Sequence, residues 1–161
     1  MNLANLKTKR AQGGFTIVEL LIVIVVIGIL AAIVIVAYNG VTTKANDSAD
    51  AANAQSLDKV AEAVNADLST GYPWGNSDAT LKTAFNADST TTSIPQGLGV
   101  IYIASTGAAP SYASANTAAA SKNYYVKVCS AAAPNSTGLN VYYPKRSDSS
   151  VQVIKAGTGC N

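Results

Sequence analysis

Histidine is absent from this chain of 161 residues, and cysteine occurs only twice. Because His and Cys supply many metal ligands and many catalytic nucleophiles and bases, their scarcity removes most metal sites and catalytic constellations. We therefore expect neither an enzyme nor a cofactor. Charge is also sparse, since only 12% of the residues are Asp, Glu, Lys or Arg. Gly, Ala, Ser, Thr and Asn are abundant instead, a composition that favours a secreted, densely packed surface protein over a cytosolic enzyme.

The net charge of +2 comes entirely from the beginning of the chain. Lys7, Lys9 and Arg10 contribute +3 there, so the rest of the chain carries a net charge of −1. A near-neutral protein is not built to hold nucleic acid by bulk charge. The pair Lys145-Arg146 lies between two predicted strands and could contact phosphate, but two cations neutralise too few phosphates, and a solvated turn is the better interpretation.

An almost unbroken apolar run follows the basic leader, residues 1–14. No charged residue occurs from Leu20 to Tyr38, and a helix of that length crosses a hydrocarbon core of about 30 Å. The preceding cations favour a cytoplasmic leader and an external C-terminal part. An ordinary secretory signal fits poorly, because its apolar core is shorter and its cleavage site follows that core. An uncleaved signal anchor fits better, but it gives no reason for the Gly14-Phe15 junction or for Glu19.

Glu19 is the single carboxylate in this run, and an acid at membrane depth is a functional-site hypothesis by default. Thr16 and Glu19 have the spacing of a capping box, in which each side chain satisfies a backbone N–H at a helix start. Capping is the structural alternative for Glu19. It is typically worth only about 1 kcal/mol, less than the cost of burying an unpaired carboxylate. Cleavage before Phe15 would create a suitable cation, the new α-amino group.

The segment Gly13-Gly14-Phe15-Thr16-Ile17-Val18-Glu19 and the apolar run after it resemble the N-terminus of type IV prepilins. The resemblance implies cleavage by a leader peptidase between Gly14 and Phe15 and N-methylation of Phe15. It also implies that Glu19, together with Phe15, guides filament assembly. It is specific for residues 13–40. Val36 stands where these pilins often carry a Pro, and it neither deletes a backbone hydrogen bond nor bends the helix.

One helix is predicted from about Thr16 to Asp67. Residues 15–40 form its transmembrane or filament-core part, and the small pair Gly28 and Ala32 would let another helix pack closely. Asn39-Gly40 is a turn signal that could break the helix. Residues 41–68 form an amphipathic part whose apolar positions recur at helical spacing and predict one packed face: Leu57, Val60, Ala61, Val64 and Leu68.

Residues 69–161 are predicted to form a globular head. A connecting loop, with Trp74 as its anchor, contains a short helix at 79–86 that Asp78 or Ser77 would cap. Four β-branched or aromatic segments between turn residues predict strands at 100–103, 123–128, 139–143 and 151–154. Turn-rich spacers favour an antiparallel meander that packs against the helix. The fold class is therefore α+β, a long N-terminal helix on a C-terminal antiparallel sheet, which agrees with the pilin fold.

Cys129 and Cys160 are the only cysteines. Two cysteines in an exported segment favour a disulfide over two unpaired buried thiols. Pilins often close a C-terminal loop in this way. The bond would attach the end of the chain to the second strand.

The resemblance implies a structural subunit of a type IV pilus. It would be single-pass in the cytoplasmic membrane, with its leader inside, and later extracellular in the filament. The expected partners are the prepilin peptidase, the pilus assembly machinery, the membrane before assembly and further copies of the chain in a helical homopolymer. One alternative is a pseudopilin of a secretion system. Only Asp148 is acidic after Cys129, which argues against the calcium loop that major pseudopilins often carry. The other alternative is a minor pilin that binds DNA or a surface, and nucleic acid is only weakly supported as a partner.

Overall fold

The structure is a computed structural model that describes residues 14–68, 71–86, 94–129, 136–158 and 160. It divides into two compact units, Met1–Gly40 and Val41–Asn161. The elements are, in chain order, α1 (Ile17–Leu68), α2 (Asp78–Phe85), β1 (Gly99–Ile103), α3 (Tyr112–Ala120), β2 (Asn123–Val128), β3 (Gly138–Lys145) and β4 (Ser150–Gly157).

Helix α1 is 52 residues long, and the predicted helix is confirmed. Val36, Asn39 and Gly40 are all helical, so the Asn-Gly turn signal does not end the helix. Within the second unit, Leu57, Ala61 and Val64 are buried and Val60 packs partly buried against the core, as their spacing predicts. The side chain of Leu68 lies outside the described residues.

The four strands form one mixed sheet in the order β1-β2-β3-β4. β2, β3 and β4 are antiparallel neighbours, as predicted. The antiparallel prediction is wrong for β1, which pairs parallel to β2 with Gly99 opposite Asn123. Parallel neighbours need a crossover connection, and α3 supplies it. The sequence of α3, YASANTAAA, contains no stripe of large apolar residues. Hydrophobic periodicity therefore does not predict this helix.

Side chains alternate between the two faces of the sheet along β2. Tyr124, Val126 and Val128 are buried in one cluster with Leu57 and Ala61 of α1. Helix α3 contacts β2 and β3, and it lies beside side chains that leave the sheet on the face opposite Tyr124, including that of Tyr125. Its buried residues are alanines, which allow a close approach.

Helix α2 begins one residue before the predicted position, and Ser77 caps it through a reciprocal box with Thr80. Leu81 and Phe85 are buried. Asp78 accepts a hydrogen bond from the Tyr102 N–H at 2.7 Å, which satisfies a backbone donor of β1. Trp74 packs partly buried against the core, so its predicted role as a loop anchor is confirmed.

Candidate functional site

Thr16 and Glu19 form the predicted capping box at the start of α1. The Glu19 N–H donates to Thr16 Oγ1 at 3.2 Å. In return the Thr16 N–H and hydroxyl donate to Glu19 Oε2 at 3.4 and 3.2 Å. The Leu20 N–H donates to the Thr16 carbonyl at 3.3 Å, the first hydrogen bond of the helix, which makes Thr16 the N-cap of α1. Helix capping, the structural alternative for the role of Glu19, is therefore present in the structure.

This cap engages only one oxygen of the carboxylate. Both donors from Thr16 reach Oε2, and within the described residues no donor reaches Oε1. An ionised carboxylate has about four acceptor sites, so the cap leaves acceptor capacity on Glu19. The geometry thus allows Glu19 to cap its own helix and to bind a cation at the same time.

Within the described residues, the apolar side chains of the first unit are largely exposed. The large ones from Phe15 to Tyr38 are 47–86% exposed. Among the described helices, α1 is long and apolar enough to cross a membrane, and none of its most apolar window is buried. A Cβ added at Gly28 would meet nothing within 4 Å, so no contact among the described residues requires a glycine there. Ala32 is likewise exposed, and the predicted use of both residues in helix packing stays a prediction.

The predicted processing junction lies just before α1. Gly14 and Phe15 are exposed and non-helical, which is the accessible backbone that a peptidase needs. The leader cations Lys7, Lys9 and Arg10 lie outside the described residues. Cleavage after Gly14 and methylation of Phe15 stay predictions.

Within the second unit, an ion pair joins α1 to the β3–β4 hairpin. Asp50 is 6% exposed and pairs with the Arg146 guanidinium. The Tyr124 hydroxyl donates to Asp50 at 2.9 Å and accepts from the Asn53 amide at 2.9 Å. Burial and the Asp50 hydrogen bond outweigh the Asn53 donor and raise the pKa of Tyr124 to about 12. The buried carboxylate therefore has both a cation and a neutral donor.

Asp47, one turn before Asp50, holds the backbone of the same hairpin. It accepts from the N–H groups of Arg146 at 2.6 Å and Ser147 at 3.2 Å. Partial burial acts to raise the pKa of Asp47, but these donors outweigh it, so the pKa lies below its usual value. Two carboxylates on consecutive turns of α1 thus fix the end of β3.

Both cations that were candidates for phosphate contact, Lys145 and Arg146, form ion pairs with carboxylates of the chain. Arg146 pairs with Asp50, and Lys145 donates to Asp148 at 2.6 Å. The Lys145 hydrogen bond, together with donors from Ser150, lowers the pKa of Asp148 to about 2. Arg146 lies in the predicted turn between β3 and β4, but its side chain is only 20% exposed because it pairs with Asp50, so the prediction that it is solvated is wrong. This loop has little cationic capacity left for nucleic acid.

The predicted disulfide is confirmed. Cys129 and Cys160 are bonded, with their Cα atoms 4.8 Å apart. The buried side chain of Asn140 on β3 accepts from the Cys160 N–H at 3.0 Å and donates to the Cys160 carbonyl at 3.3 Å. Cys160 is therefore attached to the end of β2 by the disulfide and to β3 by hydrogen bonds of the Asn140 side chain.

The sequence did not predict that Asp50 and Arg146 join α1 to the hairpin, or that Asn140 joins β3 to Cys160. Asp50 lies off the apolar stripe of α1, and no local spacing predicts its pairing with Arg146, because the two residues are 96 positions apart. An Asn in the middle of a strand such as Asn140 is a usable signal, since strands disfavour Asn unless its amide finds partners.

Comparison with known proteins finds one family, described as the prokaryotic N-terminal methylation motif, which matches residues 9–35. The matched segment includes the Gly14-Phe15 junction, the capping box and Gly28 and Ala32. Searches of curated proteins and of solved structures each return no match.

Proposed function

From the leader signature of type IV pilins, which residues 9–35 carry, we propose that this chain is a structural, non-enzymatic subunit of a type IV pilus. It enters the cytoplasmic membrane as a prepilin, loses residues 1–14, is methylated at Phe15 and polymerises through its N-terminal helix. One observation carries the proposal: the matched segment contains both the exposed apolar part of α1 and Glu19, the one carboxylate among its apolar residues.

Membrane insertion follows from charge and length. Lys7, Lys9 and Arg10 keep the leader in the cytoplasm while the apolar run of α1 spans the bilayer. The disulfide supports an oxidising environment for the other end of the chain. The prepilin peptidase then acts at the membrane surface on the exposed Gly14-Phe15 bond.

Assembly replaces lipid by neighbouring helices. Lipid tails are as apolar as Ile and Val, so the gain comes from close packing and polar contacts rather than from the hydrophobic effect. Gly28 and Ala32 allow close approach on one face. Glu19 accepts the Phe15 ammonium of a neighbouring subunit on the oxygen that the Thr16 cap leaves available. Such a pair forms at one axial register only and therefore selects the register of the filament.

A pseudopilin of a secretion system is the second candidate, because the same motif fits it. Asp148, the one acidic residue after Cys129, already accepts from Lys145 and Ser150, which disfavours a calcium loop there. A minor pilin that binds DNA through the Lys145-Arg146 turn is disfavoured by the two ion pairs of that turn.

Electron microscopy of filaments sheared from the cell surface, combined with mass spectrometry of their subunits, tests the proposal. We expect long filaments in which this chain is the main component and Phe15 is the first residue. A strain without the gene should lack them, and a plasmid copy should restore them. Filaments made of another protein, with this chain at trace levels, would instead support a minor pilin. A chain confined to the membrane would contradict the pilus proposal.

A further inference from the structure

A shallow cleft of about 470 Å³ lies between α3 and the β1–β2 half of the sheet, within the second unit. The side chains of Ile101 and Tyr125, register partners on the two strands, line it from the sheet. Ser114, Thr117 and Ser121 line it from α3 and the end of that helix. This volume lies within the range of about 300–1,000 Å³ that small-molecule sites occupy.

The lining favours neutral ligands over charged ones. No Lys, Arg, Asp or Glu is among the described residues that line the cleft. A phosphate, carboxylate or ammonium ligand would therefore give up part of its hydration without gaining a counter-charge from the lining. The lining instead combines an aromatic ring and an aliphatic side chain with hydroxyl groups and the amide of Asn123.

Two polar side chains of the cleft, Asn123 and Thr117, are held in place before any ligand arrives. The Asn123 amide donates to the Ser121 carbonyl at 3.2 Å. A Cβ at Gly99 would lie 1.9 Å from Asn123 Oδ1, so the glycine makes room for this amide. Thr117 donates to the Ala113 carbonyl at 2.9 Å and keeps lone pairs for an incoming donor. The Tyr125 hydroxyl has no hydrogen-bond partner within the described residues. Fixed polar groups lower the entropic cost of binding.

We propose that this cleft binds a neutral saccharide, one or two hexose rings in size. The apolar C–H face of a pyranose stacks on an aromatic ring, and its hydroxyl groups need neutral donors and acceptors such as an amide and hydroxyls. Tyr125 is the stacking ring, with Ile101 beside it. Asn123, Thr117 and Ser121 surround the sugar hydroxyls. The site belongs to the second unit and would operate whether or not the chain polymerises. Because the cleft is open, the affinity should be weak, about 1 mM.

The test is an NMR titration of the full-length protein in a detergent without a sugar headgroup. Lactose, maltose and N,N′-diacetylchitobiose serve as neutral probes, and glucuronate as an acidic one, each up to about 50 mM, well above the expected Kd. At least one neutral probe should shift the resonances of Tyr125 and Asn123 in a saturable way, and glucuronate should bind more weakly.

Variants separate the cleft from the rest of the surface. Tyr125→Ala should weaken binding at least about tenfold, and Tyr125→Phe, which keeps the ring, by much less. Tyr112→Ala removes a half-buried tyrosine of α3 that does not line the cleft, and it should bind like the wild type. Melting temperatures identify any variant that fails to fold, and Thr117→Asp, on the exposed side of α3, then serves as the second blocking variant.

Three results would overturn the proposal. They are no saturable shift with any neutral probe, tighter binding of glucuronate, or concentration-dependent shifts at these residues without sugar, which would mean that a second copy occupies the cleft.

Discussion

Asp50 on α1 and Arg146 at the end of the β3–β4 hairpin form an ion pair between residues that are 96 positions apart. The Asp50 side chain is 8% exposed and the Arg146 side chain 20%. The Tyr124 hydroxyl occupies the other Asp50 oxygen at 2.9 Å. Helix, hairpin and second strand therefore meet at one carboxylate, which fixes the position of residues 41–68 on the sheet.

Asp50→Ala should destabilise the second unit by about 2–4 kcal/mol, because it leaves a partly buried guanidinium and a buried tyrosine hydroxyl without their acceptor. Trp74, the single tryptophan of the chain, packs against the core and reports unfolding by its fluorescence. Denaturant unfolding of the full-length protein in detergent gives the free energy. Lys145→Ala breaks only the exposed pair with Asp148 and should cost much less, because solvent screens a surface ion pair. Equal effects of the two variants would contradict a structural role for the Asp50 pair.

Replacing both cysteines by alanine should lower the free energy of unfolding by about 3–4 kcal/mol. The disulfide spans 31 positions, and the value follows from the entropy of closing that loop in the unfolded chain. Dithiothreitol should lower the melting temperature of the wild type and leave the double variant unchanged. Membrane insertion depends on residues 15–40 and should be unaffected. A wild type that melts identically with and without reductant would refute the prediction.

Acid should weaken the β3–β4 hairpin between about pH 4 and pH 2. The folded protein holds the pKa of Asp148 at about 2, below the value of about 4 in an unfolded chain. A depressed pKa stabilises the fold above the unfolded value, and this stabilisation is lost as the pH falls through the folded value. Asp47 contributes in the same direction, because its pKa is also lowered.

Asp148→Asn should therefore reduce the acid-induced fall in melting temperature, again followed by Trp74 fluorescence. Asp67→Asn is the matched control, since Asp67 is an exposed carboxylate of α1 to which no described residue donates. It should keep the wild-type dependence on pH. A wild-type profile in Asp148→Asn would show that its pairing does not contribute.

Local patterns predicted much of this fold, and long-range pairing accounts for what they missed. The capping box of Thr16 and Glu19 and the apolar stripe of Leu57, Ala61 and Val64 each lie within a few helical turns, so spacing alone reveals them. The parallel pairing of β1 was missed because α3 buries only alanines and carries no apolar period. The Asp50–Arg146 pair was missed because only the complete topology brings residues 50 and 146 together.

Mass spectrometry of the mature protein should find Phe15 at its N-terminus, methylated, with residues 1–14 removed. The exposed, non-helical Gly14-Phe15 bond and the match over residues 9–35 motivate this prediction. Gly14→Leu should block processing, because it places a large branched side chain at the proposed cleavage junction. It should leave insertion intact, since the apolar run is unchanged. A leader still attached in assembled filaments would contradict the prepilin interpretation.

Glu19 and Thr16 allow capping and assembly to be separated. Glu19→Gln removes the charge but keeps the cap, because Gln serves as well as Glu at the third helical position of a capping box. Thr16→Val removes the cap and keeps the carboxylate. If Glu19 selects the filament register by pairing with a neighbour's Phe15 ammonium, Glu19→Gln should lower filament yield at least about tenfold, equivalent to about 1.4 kcal/mol per subunit. Thr16→Val should then assemble nearly normally, since a lost cap costs about 1 kcal/mol of helix stability and the lipid enforces the helix in any case.

Glu19→Asp should give an intermediate filament yield, because the charge stays while the side chain becomes shorter. Yields of sheared filaments are compared at matched membrane levels, after mass spectrometry has shown equal leader removal. The reverse order, with Thr16→Val defective and Glu19→Gln normal, would reduce Glu19 to a helix cap.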